Sequence, residues 1–161
     1  TQLSKLMAEL KTQGRYELTG EQLSALKENF WGGYADDDQT LDTIEKTYSR
    51  FNYVLDPHTA VAMKVLYDYR EVTKENKKTL VVSTASPYKF IEDVLIGLEG
   101  EDLVKERDEF EMLEILSSLS NTQIPNSLKE LETKQIRHMT YLLKHDMKKE
   151  LAHIFDLDGV K

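Results

Sequence analysis

The sequence predicts an α/β fold that is predominantly helical. Two patterns carry that reading. Apolar residues recur at spacings of three and four along most of the chain, the mark of amphipathic helices. One short unbroken apolar run, Leu80-Val81-Val82, stands between two such stretches, and its lack of alternation reads as a strand buried on both faces of a sheet.

The elements follow in order. Leu3, Leu6, Met7 and Leu10 form one helical stripe, with Gly14 as its stop. Thr19 and Gln22 have the spacing of a capping box, and Leu23, Leu26 and Phe30 supply the buried stripe of a second helix. Trp31-Gly32-Gly33-Tyr34 interrupts it. Asp36, Asp37 and Asp38 open a third helix, where three carboxylates suit the positive end of the dipole, and Leu41, Ile44, Tyr48 and Phe51 line it. Asp56-Pro57 reads as an N-cap followed by proline in the first turn of a fourth helix. That helix runs into the polar loop 74–78. After the strand, Ser83-Thr84-Ala85-Ser86 is a small-residue loop, and Ser86-Pro87 starts a helix lined by Phe90, Ile91, Val94, Leu95 and Leu98 and closed by Gly100. Residues 101–119 read as one acidic helix. A short helix holds Leu128 and Leu131, Met139 to Leu143 is a second strand candidate, Asp146 caps a last helix, and Asp158 to Lys161 form a tail.

Composition narrows the function. The chain has 161 residues, the size of one ordinary domain, and a net charge of -8. That charge argues against a general nucleic-acid binder and against an anionic membrane surface. There is no cysteine, which removes disulfides, zinc thiolates, iron–sulfur clusters and cysteine nucleophiles, and fits a cytoplasmic setting. No apolar run reaches the roughly 20 residues of a membrane span, and no stretch reads as a signal peptide. The start at Thr1, inside a helical pattern, leaves a processed chain or a fragment open. A strand needs neighbours for its backbone groups, so the Leu80–Val82 strand implies a sheet completed from elsewhere.

Two clusters could carry chemistry. The loop from Ser83 to Phe90 lies between a strand end and a helix start, where ligands bind in open α/β sheets. Its hydroxyls suit a ring nitrogen, and free N–H groups at a helix start attract anions; helix capping by Ser86 explains part of the same pattern. Asp56-Pro57-His58-Thr59 is a second helix start, with His58 as a candidate acid–base group or a plain first-turn surface residue. The aspartates at 36–38 lack the spacing of a calcium loop, and His138, His145 and His153 are too dispersed for a zinc motif, so no metal site is expected. Glycine-rich phosphate loops and a GxSxG elbow are absent from the sequence. Trp31, with Phe30 and Tyr34, reads as a packing cluster rather than a binding surface.

Three segments in order resemble one family: Phe30-Trp31-Gly32-Gly33-Tyr34-Ala35, Tyr53-Val54-Leu55-Asp56-Pro57-His58-Thr59-Ala60-Val61-Ala62, and Val82-Ser83-Thr84-Ala85-Ser86-Pro87-Tyr88-Lys89-Phe90. With Ile124-Pro125, Leu128 to Leu131 and Ile136-Arg137-His138, they are similar to the C-terminal part of bacterial threonine synthase over nearly the whole chain. The resemblance implies a fragment of a pyridoxal-phosphate enzyme of the tryptophan synthase β-like fold (fold type II). It implies conversion of O-phospho-L-homoserine and water to L-threonine and phosphate, by a carbon–oxygen lyase of threonine biosynthesis in the aspartate pathway. Residues 1–52 are then a helical segment, and 53–161 a strand–helix segment completing the cofactor domain. By position in the matching loop, Thr84 is the first choice and Ser83 the second for the contact to the cofactor's pyridine nitrogen. Ser86, Lys89 and His58 are candidates for the substrate phosphate or for loop structure.

The family's Schiff-base lysine and cofactor-phosphate loop lie in upstream motifs that these residues do not contain. No catalytic residue is therefore assigned here, and the isolated chain is expected to be inactive. Its expected partners are the substrate, the rest of the same enzyme chain and, through an exposed edge at 80–84, further copies of itself. A threonine synthase-like phospholyase that releases phosphate without making threonine is the neighbouring alternative. A stand-alone helical interaction module is the alternative from another class.

Overall fold

A computed structural model of the protein describes residues 1–156, and the chain divides into two compact units, Thr1–Ile124 and Pro125–Lys161. The first unit opens with α1 (Gln2–Gln13) and α2 (Gly20–Asn29). Local chemistry fixes their ends. The Thr1 hydroxyl accepts the Ser4 N–H at 3.3 Å. Thr19 and Gln22 close a reciprocal capping box at 3.2 and 2.8 Å. Gly14 ends α1 at φ 74°, a conformation that costs other residues a clash with their own Cβ. Neither helix buries a residue. The expectation of a buried stripe is corrected for α2, where Leu23, Leu26 and Phe30 are all exposed, Phe30 at 70%.

The core lies among α3 (Asp37–Phe51), α4 (Pro57–Thr73) and α5 (Ile91–Glu99). Asp36 caps α3 in a second capping box, with Gln39. Ile44 on α3 is fully buried with Leu55 and Ala60, and Met63 and Leu98 pack against them. Phe51, expected on the same stripe, is exposed. The rest of the buried face of α3 is polar: Thr40, Thr43 and Thr47. Gly97 lets α5 approach α3 closely. A Cβ there would meet the Leu41 carbonyl oxygen at 3.3 Å and Ile44 at 3.4 Å.

Two further helices follow in this unit, the short α6 (Glu101–Val104) and the longer α7 (Glu109–Ser120). The single helix expected over 101–119 is thus broken at 105–108, where Asp108 starts α7 in a third capping box, with Glu111. Met112, Leu113 and Leu116 bury one face of α7, which packs on α5. The Tyr48 hydroxyl donates to the Leu119 carbonyl at 3.0 Å and ties α3 to α7.

The expected strand at Leu80–Val82 is absent. Those residues have no regular structure, and Leu80 and Val82 are 88% and 68% exposed. Their N–H and C=O groups find no backbone partner among the described residues. The physical reason is direct: a strand exists only by pairing, and no described segment of this chain offers it a backbone ladder.

The second unit holds α8 (Asn126–Lys129), a 3-10 turn over Glu130–Glu132, and α9 (Met147–Ile154). Asp146 precedes α9, but its side chain makes no cap bond. Met139 to Leu143, the other strand candidate, is irregular and largely exposed, with Tyr141 at 88%. It too has no strand to pair with among the described residues. The tail expected at Asp158–Lys161 lies outside the described residues.

Candidate functional site

Val54 and Leu55 are buried and carry the chain into Asp56, which sits at the start of α4 with only 1% of its surface exposed. Asp56 is a cap and something more. Its Oδ1 accepts the backbone N–H groups of His58 at 3.0 Å and Thr59 at 3.3 Å. Its Oδ2 accepts the Thr59 hydroxyl in a short bond, and the Ser83 hydroxyl at 3.4 Å. The Thr59 and Ser83 hydroxyl oxygens are 3.2 Å apart. A buried carboxylate is expensive unless hydrogen-bonded, and four donors surround this one. Two motifs separated by more than twenty residues in the sequence therefore meet at one carboxylate.

The rest of the loop is anchored on either side of that junction. The Ser83 hydroxyl also reaches the Ala85 carbonyl at 3.4 Å. A 3-10 turn over Pro87–Phe90 leads into α5, and the Lys89 N–H donates to the Ser86 carbonyl at 3.0 Å. Tyr88 is buried, and its hydroxyl meets the Thr122 carbonyl at 3.0 Å. The His58 ring packs against Phe90, with centroids 4.9 Å apart, and its Nδ1 is 3.3 Å from Asp56 Oδ1.

The candidates named from the sequence now have positions. Ser83 and His58 both meet Asp56. Thr84 is exposed and makes no hydrogen bond within the described residues, so its hydroxyl is free. Lys89 is exposed. Ser86 is half-buried, and its side chain makes no cap bond, which corrects its expected capping role: the chain enters α5 through the 3-10 turn instead. Asp56 and Thr59 were missed as partners of this loop. The signal was a carboxylate at an N-cap with a hydroxyl three residues later, which by itself describes an ordinary helix start.

Beside this junction runs a groove of about 490 Å³, lined by Phe30, Trp31, Val65, Tyr69, Leu80 and Val82 among others. Trp31 stands edge-on to Tyr69 at 5.3 Å. Gly33 touches α4 so closely that a Cβ would lie 2.9 Å from Val65 Cγ1. Phe30, Trp31 and Tyr34 are all exposed, which corrects the packing role expected of the cluster: it is a surface feature, in which Trp31 keeps its ring contact with Tyr69. On the loop between α4 and the groove, the hydrogen bond and charge of Glu75 raise the pKa of Lys77 above its ordinary value. Among the described residues no cluster of His, Asp or Glu could hold a metal ion, and no helix is long and apolar enough to cross a membrane.

No family model matches the chain. Individual proteins do. Threonine synthase of Schizosaccharomyces pombe is 36% identical over 99 residues, covering 61% of this chain and 19% of the relative. Threonine synthase of Saccharomyces cerevisiae is 33% identical over 99 residues, covering 57% of this chain and 19% of the relative. The crystal structure of PLP-bound threonine synthase from Brucella melitensis superposes with a TM-score of 0.52 at 27% identity, over 81% of this chain and 27% of that one. The chain is similar to one portion of these threonine synthases. It spans about a fifth of the length of the curated relatives it matches. The threonine synthase neighbour has the tryptophan synthase β-like fold, and this chain is a largely helical portion of that fold class. Its threonine synthase-like relatives include yeast proteins, so the likeness is not confined to bacteria.

Proposed function

We propose that this chain is the C-terminal portion of a cytoplasmic threonine synthase that converts O-phospho-L-homoserine and water to L-threonine and phosphate with pyridoxal phosphate. The observation that carries the reading is the meeting of the Asp56–Thr59 helix start with the Ser83–Phe90 loop at one buried carboxylate. That junction is in the two segments with the strongest resemblance to the family.

The residues present fit one edge of the cofactor. Thr84 has a free, exposed hydroxyl beside an anchored loop, as a donor to a pyridine nitrogen requires. Ser83 is the second candidate for that contact. Pyridoxal phosphate, when bound, supplies the electron sink for eliminating phosphate and adding water. In this reading Ser86, Lys89 and His58 face the substrate phosphate, Lys89 as a point charge. The lysine that holds the cofactor, and the loop that holds the cofactor's phosphate, come from the rest of the same enzyme chain, and the 161 residues alone are inactive. Residues 53–161 complete the cofactor domain and residues 1–52 form a helical segment beside it. The unpaired, β-prone backbone of Leu80–Val82 supports a neighbouring strand supplied by that rest of the enzyme, and in the isolated chain the same edge at 80–84 pairs copies of it.

The longer protein that carries this chain, supplied with pyridoxal phosphate and O-phospho-L-homoserine, should release phosphate and form threonine in equal amounts. Phosphate without threonine would replace this reading by the phospholyase one. Neither product, or a gene that begins near residue 1, would leave a helical interaction module.

A further inference from the structure

We infer that Asp56, Thr59 and Ser83 form a latch that holds the 83–86 loop so that Thr84, and not Ser83, presents the hydroxyl to the cofactor ring. The inference rests on the functional reading above and deepens it. Two adjacent hydroxyls were open candidates for one contact. The structure treats them differently. The Ser83 hydroxyl has three partners within 3.4 Å: Asp56 Oδ2, Thr59 Oγ1 and the Ala85 carbonyl. Its single proton is drawn to the carboxylate or the carbonyl, both acceptors only. Turning it to a ring nitrogen would leave Asp56, which is 1% exposed, with one donor fewer. Thr84 has no such commitment.

The latch has a defined construction. Asp56 is fixed by the first turn of α4 through the His58 and Thr59 N–H groups. Thr59 is 4% exposed, and its hydroxyl donates to the same carboxylate oxygen that Ser83 reaches. The loop is thereby tied to a helix rather than to another loop. Downstream, Tyr88 and Thr122 secure its other end. Ser83 and Thr84 are both exposed, but only the Thr84 hydroxyl is left uncommitted between these ties. Asp56, Thr59 and Ser83 are positioning residues in this scheme; only Thr84 touches the cofactor.

The test uses the full-length protein with pyridoxal phosphate as the probe. Three quantities are read: the cofactor dissociation constant, the absorption maximum of the bound cofactor, and amide hydrogen exchange over 80–86 without cofactor. Thr84→Val should raise the dissociation constant roughly tenfold, the worth of one lost hydrogen bond. It should also shift the absorption maximum and leave exchange unchanged. Ser83→Ala, Asp56→Asn and Thr59→Val should speed exchange over 83–86 and weaken binding less, with the absorption maximum held. Thr59→Ser should restore wild-type exchange, which a merely space-filling role for the threonine would not predict. Asn is itself a good N-cap, so Asp56→Asn keeps α4 started. A shifted maximum in Ser83→Ala with none in Thr84→Val would overturn the inference, as would unchanged exchange in all three latch variants. Failure of the wild-type protein to bind cofactor would instead remove the functional reading, and the exchange measurements would still decide whether the latch exists.

Discussion

Thr47 and Thr43 sit one turn apart on α3, both buried, at 4% and 2% exposure. Their hydroxyls have opposite fates. Thr43 donates to the Gln39 carbonyl at 2.7 Å, whereas the buried Thr47 hydroxyl has no partner among the described residues. Replacing each by valine keeps the branched shape and changes helix propensity little. At Thr47 the exchange removes an unsatisfied polar group, worth roughly 1–3 kcal/mol, and adds a buried methyl, worth about 0.8 kcal/mol. The site must accommodate a slightly different shape, so a net stabilisation of about 1–2 kcal/mol is the working figure. At Thr43 the same methyl gain is offset by a lost hydrogen bond of about 1 kcal/mol, for a net change near zero. Urea denaturation followed by far-UV circular dichroism measures both, with the slope checked for constancy. Thr47→Val should raise the midpoint and Thr43→Val should barely move it. Equal shifts for the two variants, or a lower midpoint for Thr47→Val, would refute the argument that the orphaned hydroxyl is a net cost.

Ile44→Ala should cost roughly 3 kcal/mol, since the side chain is fully buried. Gly97→Ala gains about 1 kcal/mol of helix propensity, but in the native background its Cβ meets Leu41 and Ile44 at 3.3 and 3.4 Å. Shortening Ile44 to alanine removes only its Cγ2 contact and leaves its own Cβ at 3.4 Å and the Leu41 carbonyl oxygen at 3.3 Å, so the double variant should be near-additive, within about 0.5 kcal/mol; a large rescue in a double-mutant cycle would contradict the packing. Thr19→Ala should remove about 1 kcal/mol of local helix stability, seen as faster amide exchange in α2 with an unchanged urea midpoint, because α2 buries no residue. Tyr69→Leu should change the emission of Trp31, the single tryptophan, because their rings are 5.3 Å apart edge-to-face; an unaltered spectrum would mean the contact is not made.

What could be read from the sequence was local. Thr19 with Gln22, the aspartates 36–38 and Asp56 before Pro57 each announce a helix start through residues within a turn of one another, and all three start helices. Gly14 and Gly100 mark ends for the same reason. The break at 105–108 escaped notice because the charged residues around it fit a helix surface equally well; only Asp108 bonding back to Glu111 reveals it. The site was half legible. The loop Ser83–Phe90 and the Asp56–Thr59 start were each visible, but their meeting depends on how α4 and the segment after it fold back, and no pattern of residue types encodes that. The roles of Ser83 and Thr84 differ only through this tertiary contact, which is why adjacent hydroxyls looked equivalent.

The failed strand and the exposed helix stripes have one origin. Leu80 and Val82 carry the composition of a doubly buried strand, yet are exposed. Leu3, Met7, Leu23 and Leu26 carry the spacing of a buried face, and they too meet solvent. Residue pattern records the environment in which a segment is buried, not whether that environment belongs to the same 161 residues. The true interior here, around Ile44, Leu55 and Ala60, is small and formed by segments near each other in sequence. On the proposed reading, the exposed set is the surface that the remaining four-fifths of a threonine synthase covers, and the groove beside Trp31 is part of it. The latch at Asp56 fits the same division. It makes its bonds wholly within this chain, so the loop's shape does not depend on the covering residues, and Thr84 stays exposed with its hydroxyl uncommitted.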